Sequence, residues 1–372
     1  MQLVINSYGA SVRKRGELFL IQIGDRKARV SVHKVDSILI TTSAQLSTDA
    51  IQLAAEHHVD LVFVDRKGEP YGRFWHSKMG STARIRRRQL EVSGSEEGVE
   101  YVLGWVATKL RNQDRFLGEL AKRRPKTRAA IGRARRAIKN SRQALSEVDG
   151  SLEQRRGTIM GLEGAAGRAY FDLLSRLMPA GYRFKGRSRR PAHDPFNATL
   201  NYAYGVLYSH VERACIIAGL EPFLGLLHCD NYNRPSLVFD LIEPFRIWAE
   251  RTVVHLFTGR KMKQDYFRKT QGGVSLDDAG KPVLIEALNK ELEKRVRCPV
   301  GAAFLHAASG CKAAPPGVAK SRNLKQRQLI QREAHAFANA LLGKPRPYFP
   351  PVETRDPGFE ARMKRTARSR EA

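Results

Sequence analysis

Hydrophobic and polar residues follow a strand-like pattern over the first 80 positions of the chain. Short runs rich in β-forming residues, such as 17–23 (ELFLIQI) and 60–65 (DLVFVD), are separated by glycine-containing turns. One helical segment, residues 47–58, begins at a serine or threonine that suits an N-cap. The pattern predicts a small β-rich domain with one inserted helix.

Apolar residues recur every three to four positions through most of the remaining chain, which is the spacing of helices that pack on a core. This helical spacing of apolar residues occurs in six segments: 96–123, 135–148, 155–178, 196–220, 236–257 and 283–296. We therefore predict an α+β protein, with a small β-rich N-terminal domain followed by a larger all-α C-terminal domain. The expected divisions are the β-rich domain at 1–80, a basic linker at 81–96, the α-helical domain at 97–345 and a basic, disordered tail at 346–372.

The charge of the chain adds a class of partner to this picture. With 65 Lys and Arg against 37 Asp and Glu, the net charge is +28. The basic residues cluster at 84–89, 122–142 and 183–190, and such clusters favour binding to the phosphate backbone of nucleic acid over an evenly solvated surface. Five of these side chains are candidate DNA contacts: Arg84, Arg86, Arg88, Arg189 and Arg190.

Cysteine spacing and hydropathy bear on where the protein works. The four cysteines form no CxxC pair, so neither a disulfide framework nor a structural zinc site is expected. No run of 18 apolar residues and no N-terminal signal pattern occur, so membrane insertion and export are disfavoured. These features predict a protein of the cytoplasm.

Three carboxylates stand in apolar surroundings. Asp240 and Glu243 lie three residues apart in the segment SLVFDLIEPFR, so on a helix they share a face and repel each other. A metal ion, an arginine such as Arg246, or a raised pKa must compensate. Glu163 falls on the same helical stripe as Tyr170 and Leu174, where it is either a metal ligand or a partner of a buried arginine.

His228 completes a possible set of ligands. A glutamate, an imidazole and one or two further carboxylates suit Mn²⁺ or Mg²⁺, and such a site suits phosphodiester chemistry. Alternatively, His228 is an ordinary hydrogen-bonded residue of a turn. The other histidines form no competing motif in the sequence.

Several stretches together resemble one known family. They are DAIQLAAEHHVDLVFVDRKGEPYGRF, RIRRRQ, MGLEGAAGRAYF, RRPAHDPFNATLNYAYGVLYSHVERACIIAGLEPFLGLLH and RPSLVFDLIEPFR, in this order up to about residue 260. The combination of LEG, GLLH and SLVFDLIEPFR is similar to that of the spacer-integration endonucleases of CRISPR-Cas systems, the first of the Cas proteins. Beyond residue 260 the similarity thins to KRVRCPV and QREAHAFANALL.

This resemblance implies a site and a reaction. The metal ligands would be Glu163, His228 and Glu243, with Asp240 as a supporting or additional catalytic group and Arg246 near the DNA. Where many relatives have an aspartate after EPFR, this chain has Glu250. The implied activity is metal-dependent cutting of DNA and insertion of foreign DNA spacers into the CRISPR array by attack of a 3′-hydroxyl.

The resemblance also implies partners. Family members look like homodimers, and they join with the small second Cas protein to form an adaptation complex on double-stranded DNA. The N-terminal domain would then serve dimerisation and partner contact, and the α-helical domain would be catalytic. Two other functions are compatible with the same residues: a general metal-dependent nuclease of DNA repair, and a non-catalytic nucleic-acid scaffold. The scaffold would explain the charge of +28 but not the carboxylates in apolar segments.

Overall fold

The computed structural model describes residues 2–35, 37–57, 59–64, 70–74, 82–122, 124–150, 152–228, 234–299 and 321–343. The chain divides into two compact units, Met1–Gly80 and Ser81–Ala372. The expected tail at 346–372 lies outside the described residues. No helix in the described ranges is long and apolar enough to cross a membrane.

The described residues of the N-terminal unit form two four-stranded sheets, one α-helix and one 3-10 helix. The first sheet has the order β4-β3-β2-β6, and the second has the order β1-β5-β7-β8. The strands are β1 (Gln2–Ile5), β2 (Ala10–Arg15), β3 (Leu18–Ile23), β4 (Arg26–Ser31), β5 (Ser37–Ile40), β6 (Ala44–Leu46), β7 (Asp60–Val64) and β8 (Pro70–Phe74).

Helix α1 (Thr48–Glu56) begins where the sequence predicts a cap. The Ser47 side chain accepts a hydrogen bond from the backbone N–H of Ala50, which satisfies one of the free donors of the first turn. Leu53 is fully buried and belongs to the same core cluster as Phe19 and Ile38. The core of this unit therefore lies between the helix and the inner faces of the strands.

The C-terminal unit is mainly helical, which confirms the predicted α+β class. Its helices are α2 (Thr82–Ser93), α3 (Glu96–Lys122), α4 (Arg128–Leu145), α5 (Leu152–Leu177), α6 (Pro195–Ile217), α7 (Ser236–Leu241), α8 (Arg246–Thr258), α9 (Gly280–Leu292) and α10 (Gln326–Leu341). Large side chains from several of these helices, including Trp105, Tyr170, Phe196 and Phe337, form one core.

Two parts of the C-terminal unit differ from the expected arrangement. Residues 82–93, expected within a basic linker, form helix α2, because Ile85 and Gln89 are buried while the arginines between them face outward or pair with acidic residues. The unit also contains short antiparallel strand pairs, which a purely α-helical domain would lack. These are β9 (Phe267–Thr270) with β10 (Gly273–Leu276), and β11 (Arg295–Pro299) with β12 (Ser321–Lys325).

The predicted helix at 236–257 is interrupted at the segment that carries the carboxylates. Helix α7 ends at Leu241, a 3-10 helix spans Glu243–Phe245, and α8 begins at Arg246. Pro244 has no N–H and its ring obstructs the preceding turn, so an α-helix is not continued regularly through this position. As a result, Asp240 and Glu243 belong to different helical segments.

Candidate metal centre

Glu163 and Glu243 meet at a lysine that the sequence analysis did not single out. Lys109 comes from the middle of α3, Glu163 from α5 and Glu243 from the 3-10 helix. The Lys109 ammonium pairs with Glu163 Oε1 and lies 2.6 Å from Glu243 Oε2. The Glu163 side chain is 31% exposed and that of Glu243 only 7%, so the cluster runs from the interior towards the solvent.

Glu243 is also held by the arginine that follows it. Arg246 Nε donates to Glu243 Oε1 at 2.8 Å, and the guanidinium lies 4.8 Å from the centre of the Tyr204 ring. Asn112, one turn after Lys109 on α3, donates to the carbonyl of Pro244 at 3.0 Å. These contacts fix the 3-10 helix against α3 and α6.

The two cations decide the protonation state of Glu243. Burial by itself would raise the pKa of this carboxyl, but Arg246 and Lys109 stabilise its charged form and lower the pKa to about 2. Burial likewise opposes the charge on Lys109, but Glu243 and Glu163 raise the pKa of its ammonium above the ordinary value. Of the three forms of compensation considered from the sequence, the structure shows the arginine, assisted by Lys109, and these two cations lower rather than raise the pKa of Glu243.

Asp240 has a different set of partners. Its carboxylate accepts hydrogen bonds from the backbone N–H groups of Leu226 at 2.7 Å, Leu227 at 3.0 Å and His228 at 3.1 Å. It also lies 2.5 Å from His228 Nδ1. The expectation that Asp240 and Glu243 share one helical face is therefore wrong, because they lie in different helical segments and each carboxylate has its own donors.

His228 is oriented by Asp240 and by its loop. A proton on Nδ1 that is donated to the carboxylate leaves Nε2 with its lone pair, the usual arrangement of a metal-binding histidine. Gly225 lets the loop pass close to α7, since a Cβ there would lie 2.5 Å from Ser236 Cβ. His228 and Glu243 are close enough to interact electrostatically, so the two side chains share one environment.

The six predicted DNA-contacting arginines occupy different surroundings. Arg84, Arg189 and Arg190 are exposed. Arg86 lies 3.4 Å from Glu221, whereas Arg88 pairs with Glu91 at 2.9 Å and Glu97 at 2.7 Å. Arg246 is buried against Glu243, where it acts as a counter-ion. Contact between these residues and DNA stays a prediction.

Glu250 has a structural environment that the sequence did not reveal. It is fully buried on α8, and Tyr204 of α6 donates to Glu250 Oε1 at 2.8 Å. Gln113 of α3 reaches Glu250 Oε2 at 3.5 Å. Burial, and after it the Glu250 charge, raises the pKa of Tyr204 well above the usual value. Glu250 thus joins three helices beneath the candidate centre.

Lys109 and Asn112 are the polar residues that sequence reasoning missed. Both lie on the apolar stripe of α3 that includes Trp105 and Phe116, at spacings of three and four residues. The criterion that singled out Glu163, a charged residue on a core-facing stripe, applies equally to Lys109. The signal was present in the sequence, but only the carboxylates were followed as possible ligands.

Comparison with known proteins places the chain in a family. The sequence profile of the family "CRISPR associated protein Cas1" matches residues 3–290. The "CRISPR-associated endonuclease Cas1 1" of Archaeoglobus fulgidus is 33% identical over 310 residues, which cover 80% of this chain and 90% of the relative.

Two solved structures share the fold. A casposase bound to an integration product has a TM-score of 0.74 and 21% identity, with 99% of both chains covered. A Cas6-RT-Cas1–Cas2 complex has a TM-score of 0.68 and 19% identity, and the match covers 92% of this chain and 35% of that one. Because the profile matches well over half of the residues, the chain belongs to the CRISPR-associated protein Cas1 family.

Proposed function

We propose that this protein is a metal-dependent DNA endonuclease and integrase that inserts foreign DNA spacers into the CRISPR array. The observation that carries the proposal is that Glu163 and Glu243 meet at Lys109, with the His228–Asp240 pair in the same helical unit, in a chain of the Cas1 family. Relatives named as endonucleases support a cutting activity, and the fold shared with a casposase is compatible with strand joining.

Glu163, His228 and Glu243 would hold a divalent ion, Mn²⁺ or Mg²⁺. Two carboxylates and one imidazole form a donor set that suits these ions, and an imidazole favours Mn²⁺ of the two. The buried Glu243 Oε2 lies 2.6 Å from the Lys109 ammonium, so it would become a metal ligand when a divalent ion displaces that ammonium. A bound ion would neutralise charge on the scissile phosphate and help activate the attacking hydroxyl.

The other residues of the centre would prepare these ligands. Asp240 fixes the His228 ring so that Nε2 is the free nitrogen, and Arg246 keeps Glu243 ionised at any physiological pH. Lys109 lies between the carboxylates, in the position that favours a cation. We propose that its ammonium holds Glu163 and Glu243 together in the metal-free protein and yields to the divalent ion.

The proposed reaction is a transesterification. The 3′-oxygen of the incoming DNA forms a bond to the phosphorus at a repeat boundary, and the existing bond from that phosphorus to the 3′-oxygen of the repeat strand breaks. The strand that leaves carries a new 3′-hydroxyl, so the number of phosphodiester bonds is unchanged. Cutting of DNA is the same displacement with water as the nucleophile.

The proposal includes the partners of the protein. We propose that it acts as a homodimer in the cytoplasm of a prokaryote, bound to the small second Cas protein and to double-stranded DNA. In this scheme residues 1–80 provide dimerisation and partner contacts, residues 97–345 catalysis, and the basic segments at 81–96 and 346–372 contacts with DNA.

An integration assay tests the proposal. Labelled double-stranded DNA, a supercoiled plasmid with the CRISPR repeat and the second Cas protein are incubated with wild type, Glu163→Gln, His228→Ala and Glu243→Gln. We expect all three variants to lose strand transfer by at least about 100-fold, with DNA affinity nearly unchanged, because binding depends on dispersed phosphate contacts. Asp172→Asn, an exposed carboxylate change on the same helix as Glu163, is the control and should remain active.

Full strand transfer by the three ligand variants would refute the site. Cutting without joining by wild type, with no effect of the second Cas protein, would favour a nuclease of DNA repair. DNA binding with neither reaction would favour a non-catalytic scaffold.

A further inference from the structure

A second group of metal-ligand side chains lies in the N-terminal unit. Glu17, His33 and His57 each offer one ligand atom, and these atoms all lie within 4.8 Å of one another. Glu17 Oε2 is 3.1 Å from His57 Nε2 and 3.6 Å from His33 Nε2. The three residues are far apart in sequence, so no spacing motif reveals them.

Each of the three residues is placed by a different element. Glu17 lies in the two-residue turn between β2 and β3, where Gly16 has a φ of +58°. His33 is in the 3-10 helix Val32–Lys34, and the Val32 N–H donates to the carbonyl of Glu17 at 3.0 Å. His57 follows the last residue of α1, and its backbone N–H donates to the carbonyl oxygen of Leu53 at 3.2 Å.

The backbone segments that carry these side chains are anchored in the core of the N-terminal unit. Val32, next to His33, is 1% exposed, and Leu53, which accepts the His57 N–H, is fully buried. Both belong to the core of the N-terminal unit. The backbones that carry the imidazoles are therefore set by the fold, although the side chains themselves reach the solvent.

Two of the three separations between ligand atoms are close to those around a tetrahedral ion. Metal bonds of about 2.0–2.1 Å in tetrahedral geometry separate neighbouring ligand atoms by about 3.3 Å. The two separations from Glu17 Oε2, 3.1 and 3.6 Å, lie on either side of this value. The imidazole rings meet edge to face, with their centroids 5.1 Å apart and an interplanar angle of 83°. Small side-chain rotations would bring all three ligand atoms to bonding distance.

We propose that Glu17, His33 and His57 form an accessory binding site for a borderline transition-metal ion, with Zn²⁺ as the best fit. Two imidazoles and one carboxylate suit Zn²⁺, whereas the two carboxylates and one imidazole of the candidate centre suit Mn²⁺ or Mg²⁺. Three protein ligands leave a fourth position for water or for a group of a partner. The ion ties together the β2–β3 turn, the segment after β4 and the end of α1.

This site is independent of the proposed function, because it lies in the other unit and uses no residue of the candidate centre. Its consequence is stability rather than catalysis. An ion that binds only the folded protein raises the free energy of unfolding in proportion to the logarithm of its concentration above the Kd.

Cobalt spectroscopy on the full-length chain tests the proposal. Tetrahedral Co²⁺ absorbs visible light far more strongly than octahedral Co²⁺, and Zn²⁺ displaces it. The measurement uses the double variant Glu163→Gln/Glu243→Gln, so that the candidate centre does not contribute. We expect one equivalent of Co²⁺ to develop intense absorption, which one equivalent of Zn²⁺ removes, and Zn²⁺ to raise the melting temperature.

Further changes in the same background separate a metal site from a surface ion pair. His33→Gln, His57→Gln and Glu17→Gln should each lose the absorption and the Zn²⁺-dependent rise in melting temperature. Asp49→Asn, an exposed carboxylate change on α1, should keep both. Absence of tetrahedral Co²⁺ in the starting protein, or its persistence after both histidine changes, would overturn the proposal. The strand-transfer assay plays no part in this test.

Discussion

Lys109 connects the two carboxylates that matter most for the proposed chemistry. Its ammonium contacts Glu163 and Glu243 at once, and the side chain is only 10% exposed. A buried cation between two anions is stabilised by both, and removal of the cation leaves the anions to repel each other. In the proposed mechanism Lys109 therefore stabilises the metal-free protein and competes with the divalent ion.

The change Lys109→Met tests this dual role. We expect the metal-free variant to be less stable by up to about 3 kcal/mol, because two partly buried carboxylates lose a counter-ion. Its affinity for Mn²⁺ should rise, on the order of tenfold, because no ammonium has to be displaced. Thermal unfolding and calorimetric titration with Mn²⁺ measure the two quantities.

Lys122→Met, at the exposed C-terminal end of the same helix, is the matched control and should change neither quantity. A Lys109→Met protein that binds Mn²⁺ as weakly as wild type would show that the lysine does not occupy the position of the ion.

At the residue scale the sequence revealed which carboxylates were unusual and offered Arg246 as a counter-ion, but it did not reveal Lys109 or the donors of Asp240. Glu163 and Glu243 stand out because they interrupt apolar patterns that are visible in one dimension. The partners of Glu243 come from α3 and from the start of α8, and those of Asp240 from the loop at Leu226–His228. Arg246 is only three residues from Glu243 and could be named from the sequence, whereas the contacts of Lys109 and of the Leu226–His228 loop depend on tertiary packing, so residue spacing could not predict them.

At the scale of elements, the long helices α3, α5 and α6 could be predicted because their apolar spacing extends over many turns. Helix α2 was assigned to a linker because arginines dominate its composition, although Ile85 and Gln89 give it a buried face. The interruption between α7 and α8 was missed despite Pro244. Apolar spacing continues through this proline, and we followed that spacing rather than the missing backbone donor.

Helix α6 carries a half-buried histidine, His210, that makes the stability of this unit depend on pH. The His210 Nε2 atom is buried and has no hydrogen-bond partner among the described residues. Burial, and after it the charge of Arg213, lowers the pKa of His210 from 6.5 to about 4. The folded protein therefore binds fewer protons than the unfolded chain between these two pH values.

Because the unfolded chain binds more protons in this pH interval, the stability of the folded protein falls as the pH falls. The contribution of neutral His210 is fully present above pH 6.5 and is lost as the pH falls to about 4. We expect His210→Leu to reduce the loss of stability over this interval by up to about 3 kcal/mol. Denaturant unfolding at a series of pH values measures the free energy of unfolding across this interval. Exposed His193→Leu should retain the wild-type profile, and an identical profile for His210→Leu would refute the assignment.

At the scale of the whole molecule, the net charge of +28 predicts affinity for a polyanion, and the structure distinguishes between the basic clusters. Arg189 and Arg190 are exposed before α6, whereas Arg86 and Arg88 are half-buried and lie against Glu221 and Glu97. Composition alone could not reveal this difference. To contact DNA, Arg86 and Arg88 would have to give up a carboxylate partner for a phosphate. This loss reduces the free energy that they contribute to DNA binding.

We therefore predict an order of effects on DNA binding. The double variant Arg189→Ala/Arg190→Ala should weaken binding to unrelated DNA sequences about equally. Its binding should also depend less on salt: the slope of log K against log salt should become less steep by ~0.9 for each phosphate that the variant no longer neutralises. Arg86→Ala/Arg88→Ala should have the smaller effect. Fluorescence anisotropy over a range of salt concentrations measures both, and an unchanged slope in the first variant would make that cluster ordinary solvated surface.

In the proposed function, Glu163, His228 and Glu243 together hold one divalent ion, with Asp240 in support. Direct titration of Mn²⁺, followed by electron paramagnetic resonance of the free ion, tests it in the wild type, Glu243→Gln, Asp240→Asn and the control Asp172→Asn. We predict that Glu243→Gln loses the site, that Asp240→Asn keeps it with about 10–100-fold lower affinity, and that the control is unchanged. Unaltered Mn²⁺ binding by Glu243→Gln, or complete loss of the site in Asp240→Asn alone, would contradict the account.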